Sequence, residues 1–128
     1  MAATLSTAAR DASVNAIVDL VDAGTANPTG RITITTAGGT TTLVVLDFSN
    51  PAFGGGSSGV ATANAIANGT VTASGTAAEA VISDRDAATV ISGLTVGTSG
   101  SDINFGSVNF QSGDTIGISS LTVTMPAS

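Results

Sequence analysis

The chain has 128 residues, the size of one domain, and 42% of them are hydrophobic, which is enough for a core. Three basic residues stand against nine acidic ones, and this net charge of −6 excludes the clustered Lys and Arg that bind nucleic-acid phosphates or an anionic membrane surface. The absence of cysteine excludes disulfides and thiolate metal sites.

The first predicted element is an amphipathic helix over about residues 6–23, in the stretch LSTAARDASVNAIVDLVDAG. Ser6 is the predicted N-cap, because its hydroxyl can accept a hydrogen bond from a free backbone N–H of the first turn. Gly24 is the predicted residue just past the helix, because glycine adopts the left-handed conformation without strain.

The two faces of this helix differ in polarity. One face is apolar and consists of Leu5, Ala9, Ala12, Ala16 and Leu20, with Ile17 and Val21 beside them. The opposite face carries the polar residues Asp11, Asn15, Asp19 and Asp22. We expect the alanine-rich face to pack against a flat partner, either the sheet of the same domain or a second subunit.

The stretch RITITTAGGTTTLVVL predicts a β-hairpin with a two-residue turn at residues 38–39. That turn places Ile34 opposite Leu43. In the same register Ile32 faces Val45, so that these four apolar side chains share the buried face of the hairpin.

Two apolar residues of the second strand fall on the opposite, outward face of this predicted hairpin. They are Val44 and Leu46. A soluble monomer seldom exposes a large apolar patch, so we predict that both side chains contact another chain. Strand edges without Lys or Pro also favour pairing with a second chain.

A glycine-rich loop, SNPAFGGGSSG, follows the hairpin. Phe48 and Phe53 flank Pro51, and we expect them to anchor the loop on the core. The loop lacks the Gly-Lys-Ser or Gly-Lys-Thr ending of a phosphate-binding loop, and the chain has no lysine, so nucleotide binding is not expected.

Short strands separated by turns continue from about residue 31 to about residue 125. The fold class predicted for the whole chain, as one domain over residues 1–128, is mainly β: a sandwich or small barrel of short antiparallel strands with the one N-terminal amphipathic helix. The predicted core consists of Ile17, Leu20, Ile32, Ile34, Leu43, Val45, Phe48, Phe105, Phe110, Leu121 and Val123.

No arrangement of residues typical of catalysis occurs in the sequence. The chain has no histidine and no Gly-x-Ser-x-Gly motif, so we predict neither an enzyme nor a cofactor. Asp84 and Asp86 lie close together at a predicted strand tip and could bind Ca²⁺. The pattern lacks the glycine and distal glutamate of a calcium-binding hand, so solvated turn acids are the favoured interpretation.

The N-terminal residues show no signal peptide, because a basic start is missing and Arg10 and Asp11 interrupt any apolar run. No apolar stretch is long enough to cross a bilayer. We therefore expect synthesis in the cytoplasm.

Three stretches resemble a group of small proteins that tailed bacteriophages encode among their virion structural genes. The stretches are LSTAARDASVNAIVDLVDAG, FSNPAFGGGSSGVATANAI and ISSLTVTMPAS, at residues 5–24, 48–66 and 118–128, which bracket nearly the whole chain. The resemblance implies a virion component with no catalytic residues. It implies first a capsid decoration (cement) protein that binds the outside of the head, and otherwise a head-fibre base, a tail part or a baseplate part. A surface adhesin or another binding module is the non-viral alternative.

The binding partners expected for this chain are other proteins. Decoration proteins are commonly trimers, so the resemblance implies a homo-oligomer, most plausibly a trimer, bound to the major capsid protein or another virion protein. The low content of charged residues, 9%, fits a surface that is largely covered by neighbours. The expected location is the virion.

Overall fold

The computed structural model describes residues 3–125, in which one helix precedes eleven strands. The predicted domain over residues 1–128 extends beyond these described residues at both ends. The helix is α1 (Thr7–Asp19), followed by a 3₁₀ turn (Leu20–Asp22). The strands are β1 (Arg31–Thr35), β2 (Thr42–Asp47), β3 (Val60–Thr62), β4 (Gly69–Thr70), β5 (Gly75–Thr76), β6 (Glu79–Ser83), β7 (Thr89–Gly97), β8 (Ile103–Asn104), β9 (Asn109–Phe110), β10 (Thr115–Ile116) and β11 (Thr122–Thr124).

The main feature is a curled five-stranded sheet in the order β2-β1-β6-β7-β8. Its neighbouring strands run antiparallel, except that β8 pairs with β7 in parallel. Three two-stranded ladders complete the fold: β4 with β10, β3 with β11, and β5 with β9. The prediction of a mainly β fold with one N-terminal helix is confirmed.

The predicted start of the helix is confirmed, whereas the α-helix ends at Asp19, before the predicted residue 23, and continues to Asp22 only as the 3₁₀ turn. The Ser6 hydroxyl accepts a hydrogen bond from the backbone N–H of Ala9 at 3.1 Å, which is the expected N-cap. Gly24 has a φ of 106°, in the region that favours glycine. Within residues 3–125, no helix has both the length and the apolar character needed to cross a membrane.

The predicted orientation of the helix is wrong. The side chains of α1 and its 3₁₀ turn that enter the core are Val14, Val18 and Val21, whereas Ala12 and Ala16 are exposed. A valine buries more apolar surface than an alanine, so a shorter run of valines outweighs a longer run of alanines. The polar residues beside the valines bind backbone amides of a loop, as described below, and so need not face water.

The hairpin of β1 and β2 is present, but its register differs by one residue from the prediction. Ile34 pairs with Val44 and Ile32 pairs with Leu46. The turn spans six residues, 36–41, and contains a 3₁₀ turn rather than a two-residue connection. Between the pairs Ile34–Val44 and Thr35–Thr42 one extra residue forms a bulge, which is Leu43.

The shifted register overturns the predicted contact site. Val44 and Leu46 are 1% and 0% exposed, so neither can contact a second chain from this fold. Leu43 is also buried, because the bulge lets two successive residues of β2 face the core. Val45, predicted to be buried, is 40% exposed.

The core is one cluster of buried residues from the helix, the curled sheet and the segments around the two-stranded ladders, and α1 lies against β3 and β11. Of the predicted core residues, six are buried: Ile32, Ile34, Leu43, Phe48, Phe110 and Leu121. Three are half-buried at its edge: Ile17, Phe105 and Val123. Leu20 and Val45 are exposed instead. The rings of Phe48 and Phe53 lie 5.4 Å apart and fix the start of the glycine-rich loop on the core, as predicted.

Candidate functional site

The surface of the helix that points away from the core is apolar. Its exposed residues recur every three or four positions: Leu5, Ala8, Ala12, Ala16, Leu20 and Ala23. We call these six residues the outer helix face. Leu5 is 40% and Leu20 55% exposed. Within residues 7–23, Asp19 is the only exposed charged side chain. A surface helix normally turns polar residues to water, so this one has the pattern of a helix that is covered on both sides.

Three polar side chains along one edge of the helix bind the loop of residues 48–59. Each accepts a hydrogen bond from a backbone N–H of that loop. The bonds run from Ala52 N to Asp22 Oδ1 at 2.9 Å, from Gly56 N to Asn15 Oδ1 at 2.7 Å, and from Gly59 N to Asp11 Oδ1 at 2.6 Å. Since each bond satisfies an amide that has left the sheet, the loop and the helix fix each other's position.

Glycine is required where the loop meets the helix. A Cβ on Gly56 would lie 2.5 Å from Val14 Cγ1, closer than real Cβ atoms approach a neighbour. Gly59 has a φ of +77°, and a Cβ there would lie 2.9 Å from the backbone oxygen of Met125. The glycine-rich segment therefore allows the loop to pack closely against the helix. This packing fixes the helix in the orientation that leaves its outer face exposed.

The acidic turn predicted at residues 84–86 is also built into the fold. Asp84 Oδ1 accepts hydrogen bonds from the N–H groups of Asp86 and Ala88, both at 2.9 Å. Asp86 Oδ1 accepts from the N–H groups of Thr25 and Ala26, also at 2.9 Å. These bonds tie the β6–β7 turn to the segment that leaves the helix.

These two backbone hydrogen bonds, from Thr25 and Ala26, hold the pKa of Asp86 below its ordinary value, and the nearby Arg85 guanidinium lowers it further. Arg85 itself donates from Nε to the backbone oxygen of Asn27 at 2.7 Å. Across residues 3–125, no three His, Cys, Asp or Glu side chains come together in a metal-binding group. The geometry supports the interpretation of both aspartates as acids that organise a turn by accepting hydrogen bonds from backbone amides.

The sequence analysis identified most of the outer helix face but left its partner open between the sheet of the same domain and a second subunit, and it counted Leu20 in the core. One signal was available: valine recurs at positions 14, 18 and 21, at helical spacing. The polar partners of the loop had a signal too, since Asp11, Asn15 and Asp22 stand on one side of the helix. Nothing in the sequence pairs them with particular glycines, because that pairing depends on how the loop folds back.

Comparison of the chain with protein-family models, with curated proteins and with solved structures finds no match.

Proposed function

We propose that this chain is a non-enzymatic structural protein of a tailed-phage virion, and specifically a decoration protein that binds the outer surface of the head and stabilises it. The resemblance of three stretches of the sequence to small virion proteins supports the viral part of the proposal. The outer helix face supports the mode of action, which is assembly with other protein chains.

Burial of the outer helix face under another surface stabilises the resulting assembly, because its apolar side chains leave water. Full burial of a leucine side chain stabilises by about 1.5–3 kcal/mol, so covering the exposed half of Leu5 or Leu20 contributes about 1 kcal/mol each. The alanines between them let a second helix approach closely. Asp19 is the one charge that a partner must leave in contact with water.

The outer helix face is too small to hold an assembly by itself. It runs from Leu5 to Ala23, about 28 Å at the helical rise and about 10 Å wide, so it offers about 300 Å². A stable interface of standard size buries about 800 Å² on each partner. A trimer divides this face between two neighbours, so its chains must make further contacts outside the helix. Such a trimer then binds a lattice through three sites at once.

A second copy of this chain is the occupant that we assign to the outer helix face. Its apolar residues recur at spacings of three and four, which is the pattern of a helix–helix seam. A second copy brings the same small apolar residues, so apolar side chains meet apolar side chains. Asp19 follows Ala16 by three residues and lies on the same face, so the packing must leave both copies of it in water. The surface that meets the head then lies elsewhere on the trimer.

Charge placed on the outer helix face tests this proposal. The variant Ala12→Glu with Ala16→Glu puts two carboxylates in the middle of the seam. Its matched control is Ala65→Glu with Ala67→Glu, which adds the same charge at two exposed alanines of the β3–β4 connection. We expect light scattering to give the wild type and the control about three times the chain mass of 12.2 kDa, and the helix variant the mass of a monomer.

Two results decide against the proposal. If the wild type is monomeric at every concentration, the assignment of a second copy to the outer helix face is refuted. If the helix variant assembles like the control, the trimer forms elsewhere and the outer helix face is not its interface. A circular dichroism melt of each variant shows whether the fold itself has survived.

A further inference from the structure

A groove of about 460 Å³ separates two strands that do not pair with each other. One wall is formed by Ile91 and Leu94 of β7, and the other by residues 121–124 on and next to β11. Ser101 and Asp102, in the β7–β8 connection, lie at one end of it. The groove is thus lined by four apolar and four polar residues, of which Asp102 is charged.

The β11 side of the groove presents free backbone groups. Leu121 O accepts from Ala63 N at 2.8 Å, and Met125 N donates to Gly59 O at 2.7 Å, so residues 121 and 125 bond toward β3. Backbone groups of an antiparallel strand alternate between its two edges, so those of Thr122 and Thr124 point the other way. Among residues 3–125, no strand pairs with β11 on that edge.

The β7 side is open along most of its length. β6 pairs with one edge of β7, but β8 pairs with the other edge only at Val96 and Gly97. The Asp102 carboxylate accepts a hydrogen bond from the Thr95 N–H at 2.9 Å and so ends the open stretch. From Thr89 to Leu94, no strand of the described chain covers this outer edge.

We propose that this groove binds an extended segment of a different protein as an added strand on β11. Free N–H and C=O groups along a strand edge are the partners of another extended backbone, and they give it a direction and a register. Among the lining residues, Ile91 and Leu94 on one wall and Leu121 and Val123 on the other offer contacts to apolar side chains of that segment. Asp102, the one charged lining residue, favours a Lys or Arg at the corresponding position.

Charge argues against a second copy of this chain as the occupant. The chain has no lysine, and each of its three arginines already contacts an oxygen of the same chain. They contact Ser58 O (Arg10), Asp47 (Arg31) and Asn27 O (Arg85). A second copy would therefore bring no free cation to Asp102. The inference concerns a different surface from the outer helix face and does not depend on the virion assignment.

The probe is a fluorescent octapeptide of alternating threonine and valine with one central lysine, titrated against the full chain by anisotropy. A second peptide carries glutamate in place of lysine. A third has alternate backbone amides N-methylated, which removes donors without changing side chains. We expect the lysine peptide to bind about two- to fivefold more tightly than the glutamate peptide, the range of an exposed ion pair. N-methylation should abolish binding.

Two substitutions place the peptide in the groove. Thr124→Pro removes an outward N–H without touching the β3 ladder, and we expect about two- to tenfold weaker binding, the range for one hydrogen bond. Its control, Thr124→Ala, loses the side chain but keeps the N–H and should bind like the wild type. Asp102→Asn keeps an acceptor for Thr95 and should erase the preference for lysine over glutamate.

Several outcomes overturn the inference. They are failure of the lysine peptide to bind at millimolar concentration, equal binding of the N-methylated peptide, and equal affinity of Thr124→Pro and Thr124→Ala. If the Thr124→Pro variant has a lower oligomeric mass than the wild type, a second copy of the chain occupies the groove, and the inference is also wrong. The Ala12→Glu, Ala16→Glu monomer should still bind the peptide, so failure of the trimer is distinguishable from failure of the groove.

Discussion

Replacing Gly56 by alanine should destabilise the protein, because the loop and the helix leave no room for a methyl group. The added Cβ would lie 2.5 Å from Val14 Cγ1 and 3.2 Å from Asn15 Oδ1. Val14 is fully buried and cannot move outward, so the loop must shift away from the helix. We expect a loss of about 1–3 kcal/mol in the free energy of unfolding, as for other overpacked sites.

A second contribution comes from the hydrogen bond between Gly56 N and Asn15 Oδ1, which is 2.7 Å long. If the loop shifts far enough to break it, the loss grows by about 0.5–1.5 kcal/mol. Gly55 provides the matched control, since a Cβ there would meet nothing within 4 Å. Gly55→Ala should be neutral, or stabilising by about 0.4–1 kcal/mol through the entropy of the unfolded chain.

Urea unfolding followed by circular dichroism measures both variants under one set of conditions, and equal slopes make the midpoints comparable. The close packing of helix and loop predicts a lower midpoint for Gly56→Ala and an unchanged or higher one for Gly55→Ala. Equal midpoints would refute the reasoning that the glycines serve this contact.

Two further predictions concern the acidic turn and the hairpin register. Because its folded-state pKa is lowered, Asp86 stabilises the fold above the unfolded-state pKa of about 3.9 and loses that contribution as the pH falls through the folded-state value. Asp86→Asn should therefore be less stable than the wild type near neutral pH, with a difference that narrows below about pH 4; a constant difference in urea midpoints across this range would contradict the assignment. For the register, Val44→Ala should cost about 1.5–3 kcal/mol, because two buried methyl groups are lost, and Val45→Ala less than about 1 kcal/mol. The opposite order in thermal melts would restore the register predicted from the sequence.

The parts of the fold that could be predicted from sequence are those that local chemistry determines. Ser6 caps the helix because of its own hydroxyl, and Gly24 takes the positive φ expected of it because of its own backbone freedom. The hairpin was predictable from two runs of β-branched residues around two glycines. Its register was not, because both glycines adopt positive φ inside a longer turn and Leu43 bulges from the ladder.

The candidate site could not be predicted because it depends on contacts between distant segments. Alternation of polar and apolar residues showed that α1 has two faces, but not which one the sheet would cover. The orientation of the helix depends on the burial of its valines and on a loop some 40 residues away in the sequence. The backbone N–H groups of Gly56 and Gly59 in that loop donate to Asn15 and Asp11. Once these polar side chains turned inward, the alanines had to face outward.

The proposed function is tested most directly by the copy number of this chain in purified virions of a tailed phage whose genome carries the gene. Quantitative mass spectrometry, with labelled peptides of this chain and of the major capsid protein as standards, gives the ratio of the two. A decoration protein should be present at a ratio near one. Absence from the particle, or a ratio typical of tail or baseplate proteins, would contradict the proposal that the chain covers the head.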